Sequence, residues 1–325
     1  MKALQLHRPR SFHQIEVPQP DLGSAGPERL VVRPLTLSLC GSDIPFYTGS
    51  KRQRRFPLPA GAPIHECLGE VIASSSAQYA PGERVIAIPD SDQGLAEQFL
   101  AQAAKAVRLP AALAEDENSV LIQPLSTVMN AVDRLGDVSG RSVTIVGLGS
   151  IGLLFCWLLR RRGAGSLVGI DPLAERCRMA EALGATRTVA SRSLEAVQAG
   201  RAERENGGAA DICIEAVGHQ METLNDCLEL ARPQGTVLAF GVPDQAVYAV
   251  EYETFFRRNL HLLAVVTPVW SDYLAQACAL YASTRSELAP LVTHRLPVLA
   301  AGQAFSLYEQ HADGVVKILL DGRAW

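Results

Sequence analysis

Nowhere in these 325 residues do two cysteines stand in C-x-x-C spacing, and the seven present are an odd number scattered far apart. A disulfide framework is thereby excluded, and a reducing compartment is indicated, with the cytoplasm as default. An excess of one charge is missing too: 30 Lys and Arg against 34 Asp and Glu leave a formal net charge of −4. So mild an imbalance makes no electrostatic case for nucleic acid or an anionic membrane as a partner. The most apolar stretch, "VTIVGLGSIGLLFCWLL", is broken by glycines and runs into "RRR". It falls short of the roughly 20 apolar residues that span a bilayer, and a buried strand followed by a helix fits it better. The start, "MKALQLHRPRSF", has no apolar core behind a basic end and does not read as a signal peptide. No internal repeat or low-complexity tract stands out.

What is there is ordinary globular composition, 48% hydrophobic and 20% charged, over a length that suits about two domains. Up to about residue 110, runs such as "RLVVRPLTLSL", "LGEVIASS" and "ERVIAIP" are rich in β-formers and punctuated by Pro and Gly, as short antiparallel strands are. From about residue 141 the pattern alternates. "SVTIVGLG" reads as a buried strand and "SIGLLFCWLLRRRG" as a helix ended by Gly163. "SLVGID" is a second strand, and "PLAERCRMAEALGA" a helix with Pro172 at its start and Gly184 past its end. Further strands are expected at "ADICIEAVG", "GTVLAFGV" and "LHLLAVV". Alternation of this kind predicts an α/β fold with a doubly wound parallel sheet. The final stretch, from "LVTHRLP" to "VVKILLDG", returns to short β-like runs around one helix and is expected to rejoin the first domain.

"VGLGSIG" supplies Gly147, Gly149 and Gly152 in G-x-G-x-x-G spacing between a predicted strand and a predicted helix. The first glycine permits the tight turn, the second lets backbone approach a pyrophosphate, and the third lets helix and strand pack closely. The phosphates are then drawn to the helix N-terminus, where Ser150 and Ile151 lie. Asp171 ends the second strand, 171 − 152 = 19 residues on, where a carboxylate accepts the ribose hydroxyls. It repels a 2′-phosphate, which favours NAD over NADP. Arg176, about one turn further, either flanks the adenine or is solvated helix surface. Val217, Gly241 and Val242, at the ends of later strands, complete the candidate cofactor contacts.

A second constellation begins in "LSLCGSDIPFYTG", where Cys40 precedes Gly41, Ser42 and Asp43, and continues in "GAPIHECLGE" with His65 and Glu66. Thiol, imidazole and carboxylate together suit a catalytic zinc site with three protein ligands and an open position. With "CGSD", "HE" before "LGEV", "PGERV", "QPLST" and "VGLGSIG" in this order, the chain resembles the zinc-dependent alcohol, sorbitol and threonine dehydrogenases of the medium-chain dehydrogenase/reductase superfamily. The resemblance implies a GroES-like catalytic domain, residues 1–124 and 268–325, around an inserted Rossmann domain, 125–267. It implies Cys40, His65 and Glu66 as zinc ligands, and Ser42 as the hydroxyl that meets the substrate oxygen. Asp43 would hydrogen-bond His65 and set its tautomer. The implied reaction moves a hydride between a secondary alcohol (a polyol, cyclitol or amino alcohol) and NAD in a cleft between the domains, with zinc acting as Lewis acid. A homodimer or homotetramer is implied as well, with "NLHLLAVV" able to pair edge to edge with its twin.

Four departures qualify that resemblance. Gln123 stands in "LIQPLST" where polyol-type members often carry glutamate. Adjacent residues on a strand point to opposite faces, so His65 and Glu66 both reach a metal only if the backbone turns there. Ile44 and Pro45 follow the CGSD motif where many relatives have a relay histidine. The four-cysteine lobe of a structural zinc is absent from "VIAIPDSDQGLAEQF", so one zinc per subunit is expected. Cys67, Cys156, Cys177, Cys213, Cys227 and Cys278 read as core residues, and His261 and His294 as structural. Lys51, Arg52, Arg54 and Arg55 either hold an anionic substrate group or form a solvated charge run. The alternatives to a zinc dehydrogenase are a metal-free NAD(P)H ketone or enone reductase of the same superfamily, and a non-enzymatic NAD-binding protein.

Overall fold

A computed structural model of the chain describes residues 1–50, 55–200 and 209–325. Two compact units emerge, Met1–Ser126 with Pro268–Trp325, and Thr127–Thr267. In the first, β1 (Lys2–Arg8) and β2 (Ser11–Glu16) form an antiparallel hairpin. β3 (Arg29–Ser38), β4 (Glu66–Ser74), β5 (Arg84–Pro89) and β6 (Phe99–Arg108) follow as an antiparallel sheet, and β6 returns to pair with β3. Those four strands therefore close on themselves, which removes free edges. Leu30, Val32, Leu37, Ile64 and Val85 fill the interior.

Pro34 gives β3 no N–H for its ladder, and the β3–β4 register shifts beside it, with Gly69 opposite. A Cβ at Gly69 would stand 2.4 Å from Val32 Cγ1 and 2.7 Å from the Arg33 carbonyl oxygen. The bulge and the glycine thus belong together, and they seat the strand that begins at Glu66.

The second unit contains β7 (Ser142–Val146), β8 (Ser166–Ile170), β9 (Arg187–Val189), β10 (Ala210–Glu215), β11 (Ala231–Ala239) and β12 (His261–Ala264). All are parallel, in the order β12-β11-β10-β7-β8-β9 among the described residues. This is the doubly wound sheet anticipated from the alternation, and its switch point lies between β7 and β10. The helix Ser150–Arg161 is buried along most of its length, as the apolar run requires. One detail differs from expectation: the next helix starts at Ala174, so Pro172 lies ahead of it. The Asp171 side chain accepts the Leu173 N–H at 2.9 Å and holds the chain in a turn there.

The C-terminal return adds β13 (Val292–Pro297) and β14 (Lys317–Asp321), with β14 antiparallel to β3. Among the described helices without a named counterpart in the sequence reading, the longest are Ile122–Leu135 and Trp270–Leu288. In the second, the buried face includes Ala277, Cys278 and Thr284 beside Leu274, Tyr281 and Leu288, so its apolar stripe is diluted by small residues. Tyr281 Oη donates to Asp116 Oδ2 at 3.1 Å, pinning this helix within the first unit. Among the described residues no helix is long and apolar enough to cross a membrane.

Gly69→Ala is expected to lower stability by about 1–3 kcal/mol through overpacking. Gly302→Ala, whose Cβ would meet nothing within 4 Å inside the helix Ala301–Gln310, should raise it by roughly 1 kcal/mol through helix propensity. Urea denaturation of both variants measures the contrast.

Candidate metal centre and cofactor cradle

β3 ends at Ser38, and the chain turns at Gly41–Asp43 directly after Cys40. The turn is closed twice: Asp43 N–H donates to the Cys40 carbonyl at 3.0 Å, and Cys40 N–H donates to Asp43 Oδ2 at 2.9 Å. The other oxygen, Oδ1, lies 3.1 Å from His65 Nδ1. One buried carboxylate thereby holds the backbone of Cys40 and the ring of His65 together. Burial pushes the Asp43 carboxyl up, and His65 with the Cys40 N–H pulls it back only in part. For His65, burial opposes a charge, but Asp43 and then Cys40 outweigh it and raise its pKa well above the ordinary value.

His65 stands just outside β4 and Glu66 is its first residue. Metal-ligating atoms of Cys40, His65 and Glu66 all lie within 4.8 Å of one another, the one such group among the described residues. The donor chemistry fits a catalytic zinc: one thiol, one imidazole and one carboxylate, with Nδ1 taken by Asp43 so that Nε2 remains for the ion. Ser42 is half-buried in the same turn, and the Tyr308 hydroxyl lies against Gly41, 3.9 Å from where a Cβ would be.

Sequence reasoning missed Lys317. It is fully buried, donates to Glu66 Oε1 at 2.8 Å and to the Leu39 carbonyl at 2.9 Å, and stands 2.6 Å from Glu66 Oε2 without hydrogen-bond alignment. Burial would lower its pKa, yet Glu66 first and Cys40 next raise it. The available signal was a single cation inside the apolar run "VVKILL", since a lysine is almost never fully buried unless paired. An ionised carboxylate has about four acceptor sites, so the ion pair leaves Glu66 with capacity for a metal.

Gln123 is buried in the first turn of the helix Ile122–Leu135, with its carbonyl accepting from Ser126 Oγ at 2.6 Å. Ile44 and Pro45 open the helix Ile44–Thr48. Of the basic loop, Arg55 is exposed, while Lys51, Arg52 and Arg54 fall outside the described residues. Cys67, Cys156, Cys177, Cys213, Cys227 and Cys278 are all buried and unbridged. His261 is exposed on β12, and His294 lies between Thr293 and Asp313.

In the second unit the three glycines of the fingerprint differ in what surrounds them. Gly147 has φ +92°, and a Cβ on it would stand 2.6 Å from Val217 Cγ2. A Cβ on Gly152 would lie 1.9 Å from the Gly147 carbonyl oxygen, whereas one on Gly149 would meet nothing within 4 Å. Tight turn, close helix packing and an open approach are the properties a pyrophosphate cradle needs. Gly149 caps the helix at whose first turn Ser150 and Ile151 sit. Asp171 is 3% exposed, and its Oδ2 accepts the Leu148 N–H at 2.8 Å, so it also braces the glycine loop. Arg176 Nη1 is 3.7 Å from that oxygen and its side chain is only 11% exposed, which excludes the solvated-surface reading. Gly241 and Val242 border Gly218, where an added Cβ would lie 2.7 Å from Val242 N.

Comparison with known proteins agrees in outline. Residues 26–111 match the alcohol dehydrogenase GroES-like domain, and residues 150–283 match the zinc-binding dehydrogenase domain. Sorbitol dehydrogenase of Gallus gallus is 26% identical over 98% of this chain and 95% of its own length. The structure of alcohol dehydrogenase TADH from Thermus sp. ATN1 superposes with a TM-score of 0.84 at 25% identity, covering 99% of both chains. A zinc-binding dehydrogenase from Sinorhizobium meliloti 1021, solved bound to NADP, has a TM-score of 0.80 at 26% identity over 98% of each chain.

Lys317→Met would strand the Glu66 carboxylate and is expected to cost about 3–5 kcal/mol of stability. Adding Glu66→Gln should recover most of it, because the pair is then removed whole. Denaturant midpoints of the single and double variants give the comparison.

Proposed function

Because this chain belongs to the zinc-type medium-chain dehydrogenases, and is thus an alcohol oxidoreductase, we propose that it moves a hydride between a secondary alcohol and NAD. The substrate class proposed is a polyol, cyclitol or amino alcohol, with one zinc ion held by Cys40, His65 and Glu66. The observation that carries this is the convergence of those three donors within 4.8 Å, with Asp43 locking two of them. When bound, zinc supplies Lewis acidity that brings proton loss from a carbinol oxygen towards neutral pH, and NAD supplies the hydride acceptor. Asp43 keeps the His65 ring oriented, and Lys317 balances the charge of Glu66, so two anionic donors and one neutral donor can stay side by side. Ser42, in the same turn, is proposed as the hydroxyl that takes the alcohol proton. Asp171 favours NAD over NADP, because a carboxylate there repels a 2′-phosphate.

Proposed too are the division into catalytic and cofactor domains and a reducing, cytoplasmic setting for the seven free thiols. A homodimer or tetramer is supported by β12, an edge strand of its sheet. On it Leu262 is 42% exposed and just past it Val266 is 50% exposed, while the preceding helix Tyr252–Arg257 carries Tyr252 at 67% and Phe256 at 65%, apolar surface of the kind proteins ordinarily cover.

Purified protein should contain one zinc per chain by elemental analysis and lose alcohol oxidation on chelation, regaining it with added zinc. Asp43→Asn should weaken zinc affinity about 10–100-fold. Turnover that persists after complete chelation would instead support the metal-free reductase. Light scattering should give at least a dimer, and Leu262→Asp should shift it towards monomer; a monomeric wild type would refute the edge pairing.

A further inference from the structure

β10 ends in Glu215, a carboxylate only 4% exposed in the middle of the parallel sheet. A buried carboxylate needs partners, and those of Glu215 come from its own loop. Its Oε1 accepts the N–H of Val217 at 3.0 Å, the N–H of Gly218 at 2.9 Å and the Thr223 hydroxyl at 2.9 Å. Two successive N–H groups turned onto one anion make a backbone nest, and the chain leaves it through Gly218 at φ +68° and His219 at φ +60°. The backbone carbonyl of the same residue accepts the N–H groups of Phe240 (3.1 Å) and Gly241 (3.0 Å). Its Oε2 faces Gly241, where a Cβ would stand 2.3 Å away.

One residue therefore ties together the loop after β10, the helix Glu222–Leu230 and the loop after β11. The held segment is also pressed on both sides: Val217 fills the space over Gly147, and Gly218 packs against Val242 N. In a doubly wound sheet a dinucleotide lies across the strand ends at the switch point, here between β7 and β10. Asp171, at the end of β8, marks the adenosine side. The loops after β10 and β11 lie on the opposite side of β7, which leaves them the nicotinamide riboside half.

We infer that Glu215 is a positioning residue for the nicotinamide half of the dinucleotide, acting through Val217 and Gly218 rather than by touching the cofactor. This rests on the NAD reading above. The anionic acceptor matters because hydrogen bonds to an ionised group are about twice as strong as neutral ones, and the angle of the nicotinamide ring is set by the surface on which it rests.

The test compares the dissociation constants of NADH, by nicotinamide fluorescence, and of 5′-AMP, by calorimetry, in wild type and three variants. In Glu215→Ala, NADH binding should weaken about tenfold while AMP stays within about twofold, the loss of bonds equivalent to one factor of ten. Thr223→Val, which removes one donor at nearly constant shape, should weaken NADH by about threefold. Glu215→Gln keeps an acceptor oxygen but loses the charge, and should recover only about half of the loss in binding free energy, leaving NADH about threefold weaker than in wild type. If Glu215→Ala does not fold, the other two variants decide. NADH and AMP affinities that fall together, or NADH binding unchanged in Thr223→Val and Glu215→Gln alike, would overturn the inference while leaving the NAD reading intact. A wild type that binds neither ligand would remove the NAD reading and this inference with it.

Discussion

The carboxylate of Asp43 is nearly sealed from solvent, and its two oxygens serve two chain segments: the Cys40 amide on one and the His65 ring on the other. Everything at the candidate metal centre depends on that arrangement. Without it, Cys40 would be a thiol at a strand end and His65 a ring free to choose its tautomer. With it, the two donors are fixed in distance and orientation before any ion arrives, and the entropy of ordering them is met by the fold rather than by binding. The charge this concentrates is balanced by Lys317, whose ammonium joins the end of β3, through the Leu39 carbonyl, to the start of β4, through Glu66.

The second unit solves a related problem chiefly with backbone donors, Arg176 adding a cation beside Asp171. Its strand ends carry two carboxylates, Asp171 and Glu215, and each is used first by backbone N–H groups: Leu148 and Leu173 for the one, Val217 and Gly218 for the other. Both brace loops around the glycine turn, which is itself so tight that neither Gly147 nor Gly152 has room for a side chain. Rigid loops around an open helix N-terminus are what allow a phosphate to be held by backbone alone.

A good part of this was legible in the residues. Strand and helix alternation from residue 141 onward is a strong local signal, because a fully buried parallel strand is a continuous apolar run and the helices between carry their own stop signals. The glycine spacing was legible because a pyrophosphate cradle demands glycine at fixed short separations. The grouping of Cys40 and His65 was suggested by their donor types, and the place of Asp43 beside them only by the resemblance to a family. The helix Trp270–Leu288 was not legible, since its buried face is built partly of alanine, cysteine and threonine, which leave little amphipathic contrast. The place of Pro172 was misjudged because the Asp171 side chain, not the proline ring, governs where that helix begins.

By itself, the sequence determined the class of fold, the order of its parts and the kinds of atom available to a metal and a dinucleotide, because these are written in short-range patterns of polarity and side-chain chemistry. Only the tertiary structure decided that Glu66 meets Lys317 across 251 residues and that Glu215 turns its carboxylate into its own loop. It also decided that Arg176 is folded in against Asp171 rather than solvated. Those outcomes turn on strand pairing and burial. A charged side chain in a dry interior must find whatever partner the fold brings near, and no local pattern in the chain says which one that will be.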